Sequence, residues 1–195
     1  MTFRILTVCT GNVCRSPAAE IYLIHDLAGL DFIEVSSAGT GALVDQTIPE
    51  PGRRLLDAAG FDGSAHRARQ LTPSIVREAD LVLAMSREHR RAVVEQAPAA
   101  TRRAFTIREL ARVADFIGSP DREDMGTSAD PADRMRAAVL LAAVQRGLAP
   151  QPEDPSDLDV VDPYRRSDET YLESFDQIRP AAMTVARYLS SAAGL

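Results

Sequence analysis

The segment "ILTVCTGNVCRSPAAEI" (residues 5–21) holds both cysteines of the 195-residue chain, Cys9 and Cys14. A β-branched apolar run ends at Cys9, which is typical of a buried strand. Ser16 and Pro17 open a stretch with helical spacing, and proline is favoured at the first position of a helix. The segment therefore predicts a strand, a tight loop and a helix in direct succession, with Gly11 permitting the turn of the loop.

The same alternation continues along the chain. Three further strands are predicted at "DFIEVSS" (31–37), "ADLVLAMS" (79–86) and "RAFTI" (103–107), and helical segments separate them. Strands that alternate with helices form a parallel sheet, because each crossover returns the chain in the same direction. We expect an α/β fold with three layers: a central, mostly parallel four-stranded sheet with helices on both faces. Its ligand site should lie beyond the carboxyl ends of the strands, in the phosphate-binding loop after the first strand.

The length fits a single domain over residues 1–195, with a segment of different composition from about 118 to 159. This segment has a predicted helix, "MRAAVLLAAVQRGL" (135–148), between flanks rich in proline and aspartate that are expected to form mobile, solvated loop. After it, residues 167–195 predict a long amphipathic helix, capped by Ser167 or Asp168 and kinked at Pro180.

The composition argues against several classes of function. A formal net charge of -6 gives no general attraction for nucleic acid or for an anionic membrane. No apolar run is long enough to cross a membrane, so we expect a cytoplasmic protein. Two cysteines are too few for a disulfide framework, and no histidine cluster accompanies them, so neither a metal nor another cofactor is predicted.

The loop between Cys9 and Arg15 has the features of a phosphate site. Successive backbone N–H groups in such a turn point inward, and the N-terminus of the following helix adds positive potential. The candidates for this cradle are Thr10, Gly11, Asn12, Val13, Cys14 and Ser16. Arg15 can close it with two parallel hydrogen bonds. The same potential favours the thiolate of Cys9, whose pKa is expected to fall below the usual value of about 8.5.

The sequence "VCTGNVCRSP" (8–17) resembles the phosphate-binding loop of the low-molecular-weight protein tyrosine phosphatases. Further matches follow in the order of that family: "SAGT" (37–40), "HRARQLT" (66–72), "ADLVLAM" (79–85) and "DPY" (162–164). The resemblance implies a protein tyrosine phosphatase that needs no metal. In it, Cys9 attacks phosphorus, Arg15 binds the phosphoryl group, and Asp162 is the general acid and then the general base.

The resemblance also implies residues that support the loop and line the pocket. The supporting hydrogen-bond network is matched by Asn12, Ser16, Ser37 and His66. The substrate pocket is matched by Leu43, which replaces a common aromatic residue of the family, and by Tyr164. Arg165 follows where many relatives carry a second aromatic residue.

Taken without the resemblance, several of these residues have simpler interpretations. Asp162 precedes a proline, which is typical of a turn, and His66 is a structural or surface histidine. Cys14 either packs in the core or, as the resemblance implies, lies close enough to Cys9 for a reversible disulfide. Glu20 falls one position too late for a capping box with Ser16 and is interpreted as a helix-start carboxylate.

Val13 leaves the substrate open between two phosphorylated side chains. Relatives that act on phosphoarginine carry threonine there and tyrosine-directed ones usually carry isoleucine, so protein-arginine phosphatase is the alternative. Arsenate reductase would need an external thiol, and a non-catalytic phosphate-binding module would not need both Cys9 and Asp162. We expect a phosphorylated protein as substrate and consider a tyrosine kinase as a further partner.

Overall fold

A computed structural model describes residues 1–120 and 128–194 of the chain. Within them, the centre is a four-stranded sheet of order β2-β1-β3-β4. The strands are β1 (Phe3–Cys9), β2 (Ile33–Gly39), β3 (Leu81–Ala84) and β4 (Ala104–Thr106). All neighbouring pairs are parallel, and the register of β1 with β2 places Cys9 beside Gly39. The predicted α/β class and the parallel sheet are confirmed.

Helices cover both faces of this sheet. The described residues form α1 (Arg15–Asp26), α2 (Glu50–Ala58), α3 (Pro73–Glu78), α4 (Arg87–Gln96), α5 (Ile107–Ile117), α6 (Pro131–Gln145) and α7 (Asp168–Ala193). Successive side chains of a strand point to opposite faces, so β1 serves two cores. Ile5 packs among buried residues of α1, α5, α6 and α7, whereas Leu6 and Val8 pack with residues of α3 and α4. The three-layer arrangement is therefore confirmed.

Local capping explains where several helices begin. Ser86 caps α4, because its hydroxyl accepts a hydrogen bond from the His89 N–H at 3.2 Å. Helix α3 is absent from the sequence-based prediction; it has only six residues, too few to show a helical period. Helix α7 is capped by Ser167 and continues through Pro180 to Ala193.

The segment from 118 to 159 contributes α6 to the layer that holds α5 and α7. The helix begins at Pro131, earlier than predicted, because the Asp130 carboxylate accepts a hydrogen bond from the Ala132 N–H at 2.8 Å. The hydroxyl of Tyr188 on α7 donates to the carbonyl of Ala138 on α6 at 2.8 Å. Part of the predicted loop, residues 121–127, lies outside the described residues, and the single-domain organisation stays a prediction. Among the helices described, none combines the length and apolar character needed to cross a membrane.

Candidate active site

The loop from Cys9 to Ser16 follows β1 and turns directly into α1. Four successive carbonyl groups of the loop accept hydrogen bonds from outside it. These are Cys9 O from Thr40 N, Thr10 O from Gly41 N and Gly11 O from Leu43 N, each at 3.0 Å, and Asn12 O from His66 Nε2 at 2.7 Å. In a trans peptide the N–H points opposite to the carbonyl. The N–H groups of these peptides therefore face the interior of the loop, as an anion site requires.

Two positions in and beside the loop have unusual backbone requirements. A Cβ atom on Gly39 would lie 2.3 Å from the Thr10 carbonyl oxygen, so only glycine lets β2 approach this closely. Asn12 has the left-handed backbone conformation in the loop, with φ of 54°. Asparagine tolerates this conformation better than most residues.

The hydrogen bonds of the loop have a defined direction that ends at the Cys9 sulfur. The Asn12 side-chain oxygen accepts from Arg69 N at 2.8 Å, so its Nδ2 must donate. It donates to Ser16 Oγ at 3.0 Å and to Ser37 Oγ at 2.8 Å. Because Ser16 Oγ accepts this bond, its proton is free for Cys9 Sγ, which lies 3.0 Å away. The network therefore provides a hydrogen-bond donor to a Cys9 thiolate.

Two partly buried ionisable side chains, Glu20 and His66, bind to residues of this network. Ser37 Oγ donates to Glu20 Oε2 at 2.5 Å, and burial raises the pKa of Glu20 against that opposing hydrogen bond. Burial lowers the pKa of His66, which favours the neutral ring. Since His66 Nε2 faces a carbonyl oxygen, this nitrogen carries the proton. The imidazole thus holds the loop without adding a charge.

Cys14 lies on the buried side of the loop. Its sulfur is 3.4 Å from the Tyr171 hydroxyl, and burial raises its pKa to about 12. Both cysteines are free thiols in the structure. At neutral pH, the resting Cys14 thiol is therefore protonated, so it is not the group that attacks phosphorus.

Arg15 and Asp162 meet at the mouth of the loop. Arg15 is buried, and its Nη2 lies 3.1 Å from Asp162 Oδ1. Its Nη1 donates to the Val160 carbonyl at 3.3 Å. Within the described residues, the buried Arg15 Nε has no hydrogen-bond partner. A buried donor without a partner is costly, so the guanidinium is prepared for an anionic ligand.

These groups surround one open pocket of about 160 Å³. Its lining residues are Cys9, Thr10, Gly11, Val13, Cys14, Arg15, Gly41, Leu43, Asp162 and Tyr164. Leu43 and Tyr164 supply its apolar and aromatic surface, and the Arg165 guanidinium lies 5.2 Å from the Tyr164 ring centre. In the described part of the chain, no group of three or more His, Cys, Asp or Glu side chains is arranged to hold a metal ion.

Several residues of the site were not among the sequence-based candidates. Glu20 was interpreted as a helix-start carboxylate, which is wrong, because its carboxylate accepts the Ser37 hydroxyl across the sheet edge. His89 bonds Thr10 Oγ1 through Nε2 at 2.8 Å, and Arg69 contributes a backbone N–H to Asn12. The only sequence signal for Arg69 was its place within "HRARQLT"; Glu20 and His89 had none.

Comparisons with known proteins agree with this geometry. The family model described as "Low molecular weight phosphotyrosine protein phosphatase" matches residues 4–146. The "Probable low molecular weight protein-tyrosine-phosphatase EpsP" of Ralstonia solanacearum is 36% identical over 144 residues, which cover 74% of this chain and 90% of that protein. A "Protein-arginine-phosphatase" of Geobacillus stearothermophilus is 36% identical over 125 residues, 62% of this chain and 82% of that protein.

Solved structures give the same result. The YwlE arginine phosphatase from Geobacillus stearothermophilus has a TM-score of 0.67 at 26% identity, covering 96% of this chain and 93% of its own. The tyrosine phosphatase Wzb from Escherichia coli K30, in complex with sulphate, has a TM-score of 0.66 at 25% identity, covering 96% and 98%. The family match includes the whole loop, and this chain belongs to the low-molecular-weight protein tyrosine phosphatase family.

Proposed function

We propose that this protein hydrolyses phosphotyrosine in protein substrates through a phosphocysteine intermediate. The observation that carries the proposal is the chain of hydrogen bonds from Asn12 through Ser16 to the Cys9 sulfur, inside a cradle of inward N–H groups. The donor and the inward N–H groups place the Cys9 sulfur at the base of the cradle, against the position where a phosphoryl group would bind. We assign phosphate binding to residues 10–16 and support of the loop to Ser37 and His66.

In the first step, the Cys9 thiolate forms a sulfur–phosphorus bond while the bond from phosphorus to the phenolic oxygen breaks. Asp162 gives its proton to the departing oxygen, so tyrosine leaves as a neutral phenol. Arg15 binds two oxygens of the phosphoryl group, where charge accumulates in the transition state. In the second step, Asp162 takes a proton from a water molecule, and the water oxygen attacks phosphorus. The sulfur–phosphorus bond breaks, so inorganic phosphate is released and the Cys9 thiolate is restored.

The test of this mechanism is Cys9→Ser. We expect loss of aryl phosphate hydrolysis, because a serine hydroxyl at this site is a much weaker nucleophile. Binding of vanadate should persist, since the backbone cradle and Arg15 remain. Wild-type protein quenched in acid during turnover should carry one phosphoryl group on Cys9, located by peptide mass spectrometry. Hydrolysis by the serine variant at the wild-type rate, or phosphate on another residue, would refute the mechanism.

Protein-arginine phosphatase is the second candidate, and the Geobacillus stearothermophilus relative of that name favours it. Phosphotyrosine and phosphoarginine both reach the base of a pocket, whereas the shorter phosphoserine does not. Val13 lines the pocket with methyl groups, so it offers no hydroxyl to a guanidinium. One missing hydrogen bond costs about 0.5–1.5 kcal/mol, or roughly two- to tenfold in rate. We therefore propose phosphotyrosine as the preferred substrate.

Matched peptides that carry phosphotyrosine, phosphoarginine or phosphoserine will decide between the candidates. We expect kcat/KM to be highest for the phosphotyrosine peptide, lower for phosphoarginine and lowest for phosphoserine. Val13→Thr should reduce the ratio of kcat/KM between phosphotyrosine and phosphoarginine. Faster hydrolysis of phosphoarginine by the wild-type enzyme would establish the second candidate instead. Arsenate reduction is not proposed, because it needs a further thiol and the chain has cysteines only at 9 and 14.

The partners follow from the substrate. We propose a phosphorylated protein as the substrate, a tyrosine kinase as the enzyme that supplies it, and a cytoplasmic location. The net charge of -6 gives no general attraction for nucleic acid or an anionic membrane, and a mechanism that uses a free Cys9 thiol suits a reducing compartment. Cell fractionation, together with capture of phosphoproteins by an Asp162→Ala variant, will test these assignments.

A further inference from the structure

The first turn of α4, residues 86–89, contacts both functional loops. On one side, His89 Nε2 lies 2.8 Å from Thr10 Oγ1, one residue after the nucleophile. His89 Nδ1 lies 2.8 Å from Ser86 Oγ, the cap of the same helix. His89 is 4% exposed, so this connection is enclosed by protein. The phosphate-binding loop is thereby attached to the start of α4.

On the other side, this turn holds Asp159, three residues before the proposed general acid. Asp159 Oδ1 accepts the Arg87 backbone N–H at 2.7 Å, and its Oδ2 accepts Arg87 Nη2 at 2.8 Å and Nε at 3.1 Å. The Ser86 hydroxyl accepts a hydrogen bond from the third N–H of the helix, and the Asp159 carboxylate accepts one from the first. The two side chains therefore cap the N-terminus of α4 together. The carboxylate also sits at the positive end of the helix dipole.

The carbonyl of Asp159 is held as well. Arg108 on α5 donates to it through Nη1 at 2.9 Å. The next residue, Val160, donates its N–H to the Met85 carbonyl at 2.8 Å. Hydrogen bonds therefore hold the side chain and the carbonyl of Asp159, and also the peptide that follows it. This is the point where the chain enters the loop that carries Asp162.

Asp162 itself has few contacts that keep it in place. Its side chain is 56% exposed, its ion pair is with Arg15, and its Oδ1 also accepts the Tyr164 N–H of the same loop at 3.2 Å. A bound phosphoryl group competes for that guanidinium, because Arg15 is the cation of the cradle. During the reaction, the position of Asp162 then depends on how its loop is anchored: the Val161 N–H donates to Gln177 Oε1 on α7 at 2.9 Å, and the Asp159 contacts hold the chain where it enters the loop.

We infer that Asp159 is a positioning residue, which fixes the acid loop to the first turn of α4 and so sets Asp162 against the nucleophile. This inference rests on the proposed function. The first turn of α4 also contacts Thr10, which follows the nucleophile. The nucleophile and the general acid are therefore both positioned by the same helical turn. Displacement of a catalytic group by about 1 Å can cost as much as 100-fold in rate, which is why the anchor matters.

The test is Asp159→Asn with a series of aryl phosphates of increasing leaving-group pKa. The amide still accepts the Arg87 N–H but loses the charged pair. We expect kcat/KM for phenyl phosphate to fall about tenfold, because phenolate needs its proton from a well-placed acid. For highly nitrated phenols the loss should stay within about twofold, since these leave unprotonated. Vanadate affinity should not change, because Asp159 does not touch the cradle.

A matched control and a double variant separate positioning from general damage. Glu95→Gln removes a carboxylate that pairs with Arg91 on the exposed face of the same helix, 2.7 Å away, and should change none of these values. In an Asp162→Ala background, Asp159→Asn should have no further effect, because its influence passes through Asp162. Equal losses across the series, or additive losses in the double variant, would overturn the inference.

Folding defects and failure of the proposed function remain distinguishable. If Asp159→Asn unfolds, Arg87→Gln tests the same pair with the Asp159 carboxylate still on the backbone N–H, and the same leaving-group dependence is expected. A flat dependence there would overturn the inference. If the wild-type protein forms no phosphocysteine, the function is refuted; if it does and the series is flat, only the role of Asp159 is refuted.

Discussion

Replacing Asn12 by alanine should strongly destabilise the folded protein. Asn12 is fully buried and makes three side-chain hydrogen bonds, to Ser16, Ser37 and the Arg69 N–H. It also holds the left-handed φ of 54° that turns the loop. Alanine loses all three bonds and is less tolerant of that backbone conformation.

The magnitude follows from what each partner keeps. The Arg69 N–H is left without its acceptor, which costs about 1–3 kcal/mol. Ser16 and Ser37 retain Cys9 and Glu20 as partners, so each loses only a net bond of about 0.5–1.5 kcal/mol. The left-handed backbone adds about 1 kcal/mol for alanine. Together these effects predict a loss of roughly 5 kcal/mol in the free energy of unfolding.

Urea unfolding of the wild type and of two variants measures this loss. Asn12→Gly removes the same bonds but permits the left-handed turn, so it should recover about 1 kcal/mol relative to Asn12→Ala. Both variants should hydrolyse p-nitrophenyl phosphate at least 100-fold more slowly, because the donor to the Cys9 sulfur is no longer oriented. A loss below about 1 kcal/mol, or wild-type kcat in the alanine variant, would refute the argument.

Three further outcomes follow from buried groups. The pKa of His89 is lowered to about 4, first by burial, so its contribution to stability is complete above pH 6.5 and is lost as the pH falls through 4. Between pH 6.5 and 4, the free energy of unfolding measured in urea should fall by about 3 kcal/mol, and this fall should be smaller in His89→Asn. Mild peroxide should inactivate the enzyme reversibly through a Cys9–Cys14 disulfide, seen as a two-proton mass decrease, and Cys14→Ser should make recovery by dithiothreitol incomplete. Arg146→Met should cost about 1–3 kcal/mol in thermal unfolding, because it removes the hydrogen bond to the Ala104 carbonyl and the cation 3.0 Å from the buried Glu109 carboxylate, which keeps the Thr106 N–H and Arg90 as partners; a loss below about 0.5 kcal/mol would contradict this.

The features that the sequence predicted correctly are local ones. A strand that ends at Cys9, a tight loop and a helix that begins within one residue of Ser16 are determined by neighbouring residues, so a short quotation of sequence contains them. The alternation of strands and helices is likewise a local pattern, and the parallel sheet follows from it. Such patterns do not depend on contacts between distant segments.

The errors concern residues whose role is set by tertiary contacts. Glu20 acts on Ser37, which lies 17 positions further along the chain. His89 reaches Thr10 across 79 positions. Nothing in the spacing of either residue indicates these partners, since they meet only after β2 and β3 have paired with β1. Gly11 predicts a tight turn, but nothing local indicates that Asn12 takes the positive φ and also directs the network with its side chain.

The segment from 118 to 159 returns to the sheet through contacts that lie before the loop of Asp162. Its composition predicts a helix with polar flanks, but not where the chain returns to the sheet. In the structure, arginines of α5 fix that return: Arg112 donates to the Pro150 carbonyl at 2.5 Å and Arg108 to the Asp159 carbonyl at 2.9 Å. The Arg87 pair with Asp159 completes the attachment. Because the acid loop begins only after these contacts, the course of the preceding chain does not determine where Asp162 lies.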